Sequence, residues 1–203
     1  MKYSLTLIHV ILLAAFLGGC GKSPQVASLG PNDAVLAFGD SLTFGTGAQT
    51  MESYPAQLSA AINRKVVNAG VPGEVSSTGL ERLPRVLDEV QPKLLILCHG
   101  GNDFLRKLDE KTTLANLRAM ILLAKERKID VVLMATPKPG LSVSAPVFYA
   151  EIAKEFSLPF NGDVLTGVLR DNNLKSDLIH PNAKGYAQIA ETLAKLLKKS
   201  GAI

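Results

Sequence analysis

The chain has 203 residues, 47% of them hydrophobic and 20% charged, with a formal charge of +4 and two cysteines. That length and apolar content suit one globular domain with a sizeable core. Scattered basic residues, no Trp and few aromatics argue against a charged stripe or a base-stacking platform, so no nucleic-acid partner is expected.

In chain order, Lys2 is followed by an apolar stretch over residues 5–17, broken only by Thr6 and His9. It is short for a bilayer span and reads as the hydrophobic part of an export signal. It ends in Leu17-Gly18-Gly19-Cys20, which resembles the lipobox of bacterial lipoproteins. That resemblance implies a signal peptide over residues 1–19 and a lipidated Cys20, with an ordinary signal peptide cut nearby at small residues, or an uncleaved anchor, as the alternatives. Gly21 after the cysteine, rather than Asp, favours an anchor in the outer membrane facing the periplasm. Residues 20–32 contain Pro24, Gly30 and Pro31 without apolar periodicity, and are expected to form the lipidated cysteine and a flexible tether. The folded domain is expected to occupy residues 33–203. With Cys20 acylated, Cys98 lacks a disulfide partner and is expected to behave as a small buried hydrophobe.

From residue 33 apolar runs alternate with helical patterns. Residues 33–38 form a continuous apolar run that ends at a glycine, as a doubly buried strand does. Residues 54–63 carry Leu58, Ala61 and Ile62 at helical spacing. Strand 65–68, helix 78–90, strand 93–98, helix 113–128 and strand 130–135 follow. After a Pro/Gly loop over residues 137–146 come helix 147–156, a short strand 158–160 and the closing helix 183–199. Pro159 assigns that last strand to an edge. The alternation predicts a three-layer α/β/α sandwich around a central, mostly parallel five-stranded sheet. Ligands bind such sheets at the carboxyl ends of their strands.

The chemically suggestive residues all fall on that rim. Ser41 follows the first strand, Gly70 and Gly73 the second, Asn102 and Asp103 the third, and Asp177 and His180 lie in the last loop. A serine hydroxyl needs an imidazole to take its proton, and the imidazole needs a carboxylate to fix its tautomer. His180, with Asp177 three residues upstream, supplies both. His99, at a strand end, is expected to be a buried histidine with a hydrogen-bond partner, and Asp40 to stabilise the turn beneath Ser41. No Gly-x-Ser-x-Gly elbow, phosphate-cradling Gly-Lys-Ser/Thr or zinc-type Cys/His spacing occurs.

Gly39-Asp40-Ser41-Leu42, Asn68-Ala-Gly70-Val-Pro-Gly73, Gly100-Gly-Asn102-Asp103 and Asp177-x-x-His180-Pro181 resemble the four blocks of the SGNH (GDSL-type) hydrolases. Within that superfamily the chain is similar to the bacterial thioesterase, lysophospholipase and arylesterase group. The resemblance spans about residues 33–199 and implies a flavodoxin-like SGNH fold. It also implies an ester or thioester hydrolase with catalytic Ser41, Asp177 and His180. The oxyanion hole is then built from Ser41, Gly70 and Asn102, with no metal and no cofactor. The expected substrate is a small acyl ester or lysolipid, handled by a monomer that contacts the membrane through its lipid. An acetyl esterase acting on carbohydrate or peptidoglycan, or a non-catalytic anchored binding domain, are the alternatives.

Overall fold

The computed structural model describes residues 23–140 and 142–203. The signal peptide over 1–19 and the lipidation site Cys20 lie outside the described residues. Five parallel strands form one sheet in the order β2-β1-β3-β4-β5. They are β1 (Ala34–Gly39), β2 (Lys65–Gly70), β3 (Leu94–Cys98), β4 (Asp130–Met134) and β5 (Phe160–Asn161). The crossovers are α1 (Ser41–Phe44), α2 (Tyr54–Ile62), α3 (Ser76–Val90), α4 (Gly101–Leu105), α5 (Glu110–Glu126), α6 (Phe148–Glu155) and α7 (Val164–Arg170). The chain closes with α8 (Ala183–Lys199).

The continuous apolar runs are explained by burial on both faces. Val35 and Ala37 of β1 pack with residues of α2, α7 and α8, whereas Leu36 and Phe38 pack with residues of α3, α5 and α6. Each large side chain so buried contributes roughly 1.5–3 kcal/mol. The expected three-layer sandwich is therefore present, and its sheet is wholly parallel. β2 and β3 flank β1 on opposite sides, so the chain reverses its winding direction beside β1. The crevice at such a reversal is where open α/β sheets bind ligands.

Three features depart from expectation. The short helices α1, α4 and α7 have no counterpart in the periodicity, because four to seven residues are too few to display it. The last strand begins at Phe160, after Pro159, whose carbonyl accepts from the Leu133 N–H at 3.0 Å. The third departure is the tether, expected to be free through residue 32 but docked from Val26 onward. Val26 N–H donates to the Ser200 carbonyl at 3.0 Å and Leu29 N–H to that of Ala202 at 2.8 Å. Ala27 N–H donates to Asp130 Oδ2 at 2.7 Å. Leu29, 4% exposed, joins the core beneath α2 and α8. Burial of that leucine and three hydrogen bonds, two to main-chain carbonyls and one to the Asp130 carboxylate, oppose the entropy of a loose segment. Ser200–Ala202 follow the end of α8 and Asp130 begins β4, so this docking lies at the amino-terminal edge of the sheet, opposite Ser41.

Among the described residues, no helix is long and apolar enough to cross a membrane.

Candidate active site

Ser41 opens α1 directly after β1. Asp40 is its N-cap, with Oδ1 accepting the Leu42 N–H at 3.0 Å, which holds the turn beneath the serine. At the opposite end of the chain, Asn182 caps α8 by accepting from the Lys184 and Gly185 N–H groups at 3.0 and 3.1 Å. The loop ahead of it is pinned by Ser176 N–H donating to the His180 carbonyl at 2.9 Å, and by a bridge between Lys175 and Pro181.

These two ends meet. His180 Nε2 lies 3.0 Å from Ser41 Oγ, and His180 Nδ1 lies 2.8 Å from Asp177 Oδ2. The other carboxylate oxygen, Oδ1, accepts the Ile179 and His180 N–H groups, each at 2.8 Å. Slight burial pushes the Asp177 carboxyl up, but the bonds from His180 and from those two main-chain groups hold it below its ordinary value. An ionised Asp177 accepts the Nδ1 proton, which leaves Nε2 free to take the proton of Ser41.

The expected oxyanion donors are arranged differently from the sequence reading. Gly70 is corrected, because its N–H already donates to Asn68 Oδ1 at 2.9 Å. A Cβ at Gly70 would stand 2.1 Å from the Phe44 nitrogen, so this glycine serves the close seating of α1 against the end of β2. Three residues later the chain makes a tight turn, Glu74 N–H donating to the Val71 carbonyl at 3.2 Å. Gly73 sits in it at φ +77°, the left-handed conformation that a Pro-Gly type II turn demands. Among the described residues, neither the Gly73 nor the Ser41 N–H has a protein acceptor. Asn102 Nδ2 donates to the Glu74 carbonyl at 3.0 Å and, at a longer 3.3 Å, to Asp40 Oδ2. The Val71-Pro72-Gly73-Glu74 signature was present in the sequence and could have indicated the second glycine.

Asp103, next to Asn102, is buried and structural, accepting from Ser76 N–H at 2.8 Å and from the Ser76 and Thr113 hydroxyls. His99 is fully buried, with Nε2 3.1 Å from Glu74 Oε2. Cys98 is fully buried, and burial pushes its thiol far above the ordinary value, which keeps it protonated and inert. Asp40 is 1% exposed and its carboxyl is raised by that burial, against the opposing bond from the Leu42 N–H.

Beside Ser41 and His180 opens a small groove with a cavity volume of about 40 Å³, continuous with solvent. Its walls include Leu42, Leu105, Pro137, Pro139, Val143, Leu169, Leu178 and Ile179, a mostly apolar trough leading away from the serine. The Pro/Gly loop over residues 137–146 thus contributes one wall, steadied by Lys138 N–H donating to the Ser144 carbonyl at 3.0 Å. Lys138 Nζ pairs with Glu110 Oε1 at the start of α5. Among the described residues, no group of three or more His, Cys, Asp or Glu side chains is placed to hold a metal ion.

Comparison with known proteins agrees with this architecture. The family described as GDSL-like Lipase/Acylhydrolase matches residues 37–188. The chain is 32% identical to the Thioesterase 1/protease 1/lysophospholipase L1 of Escherichia coli (strain K12) over 174 residues, covering 82% of this chain and 84% of that protein. It is 30% identical to an arylesterase of Vibrio mimicus over 199 residues, covering 93% of this chain and 98% of the other. The crystal structure of TesA superposes with a TM-score of 0.74 at 27% identity, covering 82% of this chain and 98% of that one. AlinE4, an SGNH-hydrolase family esterase, superposes at 0.64 with 31% identity, covering 85% and 98%.

Proposed function

Because this chain belongs to the GDSL-like lipase/acylhydrolase family and is an ester hydrolase, we propose that it acts through an acyl-Ser41 intermediate. The observation that carries this reading is the hydrogen-bonded run from Asp177 through His180 to Ser41, with links of 2.8 and 3.0 Å. Ser41 Oγ attacks the ester carbonyl carbon as its proton passes to His180 Nε2. The resulting oxyanion is met by the Ser41 and Gly73 N–H groups and by the Asn102 amide, whose long bond to Asp40 is the one exchanged. Donors of this kind are worth roughly 3–4 kcal/mol each. Collapse expels the leaving alkoxide or thiolate, which takes the proton from His180. Water then attacks the acyl-enzyme with His180 as base, the Ser41–acyl bond breaks, and the carboxylic acid leaves.

The substrate we propose is a carboxylic ester whose acyl chain lies in the apolar trough. An acetyl group would leave most of those walls in water, whereas each buried methylene contributes roughly 0.8 kcal/mol. Rates on p-nitrophenyl esters of increasing acyl length test this. The expected optimum lies beyond butyrate, and a maximum at acetate would replace this reading with acetyl esterase. Thioester and lysolipid substrates are arms of the same series.

We further propose that the chain is an exported lipoprotein carrying lipid on Cys20, in keeping with Leu17-Gly18-Gly19-Cys20. Palmitate labelling in a Gram-negative host, lost in Cys20→Ala, is the expected result. Labelling that persists in Cys20→Ala, or is absent from the unaltered chain, would remove the anchor.

A further inference from the structure

Behind the nucleophile lies a buried ionic chain that no step of hydrolysis touches. Glu74 has a side chain only 3% exposed, and Arg82 grips it twice, Nε on Oε1 at 2.8 Å and Nη2 on Oε2 at 2.7 Å. Arg82 is itself fixed by donating to the Ala69 carbonyl at 3.1 Å and by lying 4.1 Å over the Phe38 ring. On its other side, Glu74 Oε2 meets His99 Nε2.

The tautomer of His99 follows from its second contact. Gly100 N–H donates to His99 Nδ1 at 3.0 Å, so Nδ1 is the acceptor and Nε2 carries the proton given to Glu74. The imidazole thereby ties two separate stretches of chain together. One is the turn that holds Gly73 and Glu74. The other is the β3–α4 junction, where Gly100 leads into the helix bearing Asn102. The same Glu74 that His99 holds by its side chain accepts Asn102 Nδ2 on its carbonyl.

Room for this contact is made at a specific place. A Cβ on Gly79, inside α3, would stand 2.4 Å from His99 Nε2. A glycine in a helix interior costs about 1 kcal/mol relative to alanine, and here it lets the imidazole reach the carboxylate.

We propose that Arg82, Glu74 and His99 act together as a clamp that positions the Gly73 and Asn102 donors for the transition state. The proposal rests on the acyl-Ser41 reading above. His99 and Glu74 are on this view positioning residues, reaching the oxyanion only through the main chain of the 73–74 turn and through Asn102. Burial pulls the Glu74 carboxyl upward, but the bonds from His99 and Arg82 hold it down at about 2, so Glu74 is a carboxylate at neutral pH. Loss of one oxyanion donor costs about 100- to 1,000-fold in rate, and partial misplacement costs less.

The test is steady-state hydrolysis of a p-nitrophenyl ester by His99→Leu, His99→Gln, Glu74→Gln and Arg82→Lys, with each protein's folding checked by circular dichroism. His99→Leu and Glu74→Gln are expected to lower kcat by about 10- to 100-fold with KM held within about twofold. His99→Gln, whose amide N–H reaches the Nε2 position, is expected to recover much of that loss. A folded His99→Leu with kcat within about twofold of the unaltered enzyme, or a loss carried by KM, overturns the clamp. If His99→Leu does not fold, Arg82→Lys decides, because its side chain is 17% exposed and tolerates change. A several-fold fall in its kcat supports the clamp and an unchanged kcat overturns it. Ser41→Ala separates the two readings. Hydrolysis that survives in Ser41→Ala removes the catalytic site itself, whereas an inactive Ser41→Ala beside an unaffected His99→Leu removes only the clamp.

Discussion

Asp177→Asn is expected to be more damaging than Asp177→Ala, although asparagine is the closer mimic in shape. Asp177 Oδ1 accepts two main-chain N–H groups, those of Ile179 and His180, both at 2.8 Å. In the asparagine variant the amide oxygen keeps those two bonds, which turns the NH2 group toward His180 Nδ1. A donor facing Nδ1 selects the tautomer with its proton on Nε2, and that tautomer cannot accept from Ser41. Restoring the productive tautomer requires flipping the amide and giving up both main-chain bonds, about 1 kcal/mol each. Losing the charge-assisted bond to the imidazolium adds roughly 2 kcal/mol. Together these correspond to a loss of about 1,000-fold. Alanine also gives up both main-chain bonds, but water reaches this position, the Asp177 side chain being 54% exposed, and takes their place, so its net loss is the second contribution, about 30-fold. The assay is kcat/KM on p-nitrophenyl butyrate for both variants, with matched circular dichroism. An asparagine variant within tenfold of the unaltered enzyme, or an alanine variant slower than the asparagine one, would refute the tautomer argument.

Other outcomes follow from the geometry. The Glu74 carboxyl, held at about 2 against an ordinary 4.5, contributes about 3 kcal/mol that is fully present above pH 4.5 and is lost as pH falls toward 2. The melting temperature should therefore drop across that interval, and Glu74→Gln should flatten the drop; parallel curves for the two proteins would contradict it. Leu178, 84% exposed at the mouth of the groove, should matter to long acyl chains only. Leu178→Ser is expected to lower kcat/KM on octanoyl esters several-fold, about 1–2 kcal/mol, and to leave acetyl esters unchanged. An equal effect on both would show that the leucine does not touch the chain. Cys98, fully buried, should resist a water-soluble disulfide reagent until the protein unfolds, which absorbance on a Cys20→Ser background would report. Rapid labelling in the native state would disprove its inertness.

The parts of the molecule written in local patterns could be read before the fold was known. The run Leu94–Cys98 is apolar throughout because its alternate residues enter two different cores, and α8 spans the residues 183–199 expected of the closing helix. Two glycines three positions apart, Gly70 and Gly73, look equivalent in sequence. They are separated only by who accepts their N–H, and Asn68 answers that for the first. The partner of His99 could not be named because Glu74 lies 25 residues away on another strand end. Val26 and Leu29 carry no periodicity at all. They dock through contacts with the far end of the chain, and no local window contains those contacts.

If Cys20 carries lipid as proposed, that docking would set which way the enzyme faces. Ser23 and Pro24 line an open cavity together with Leu196 and Lys199 at the end of α8 and Phe160 at the start of β5, and α8 runs from the loop that holds His180 down to that point. Seventeen residues of helix make a strut about 25 Å long, while the three Cα–Cα steps from Cys20 to Ser23 span at most about 10 Å. On the proposal that Cys20 carries lipid, the domain would stand on its base with the mouth turned outward, open to molecules dissolved in the space above.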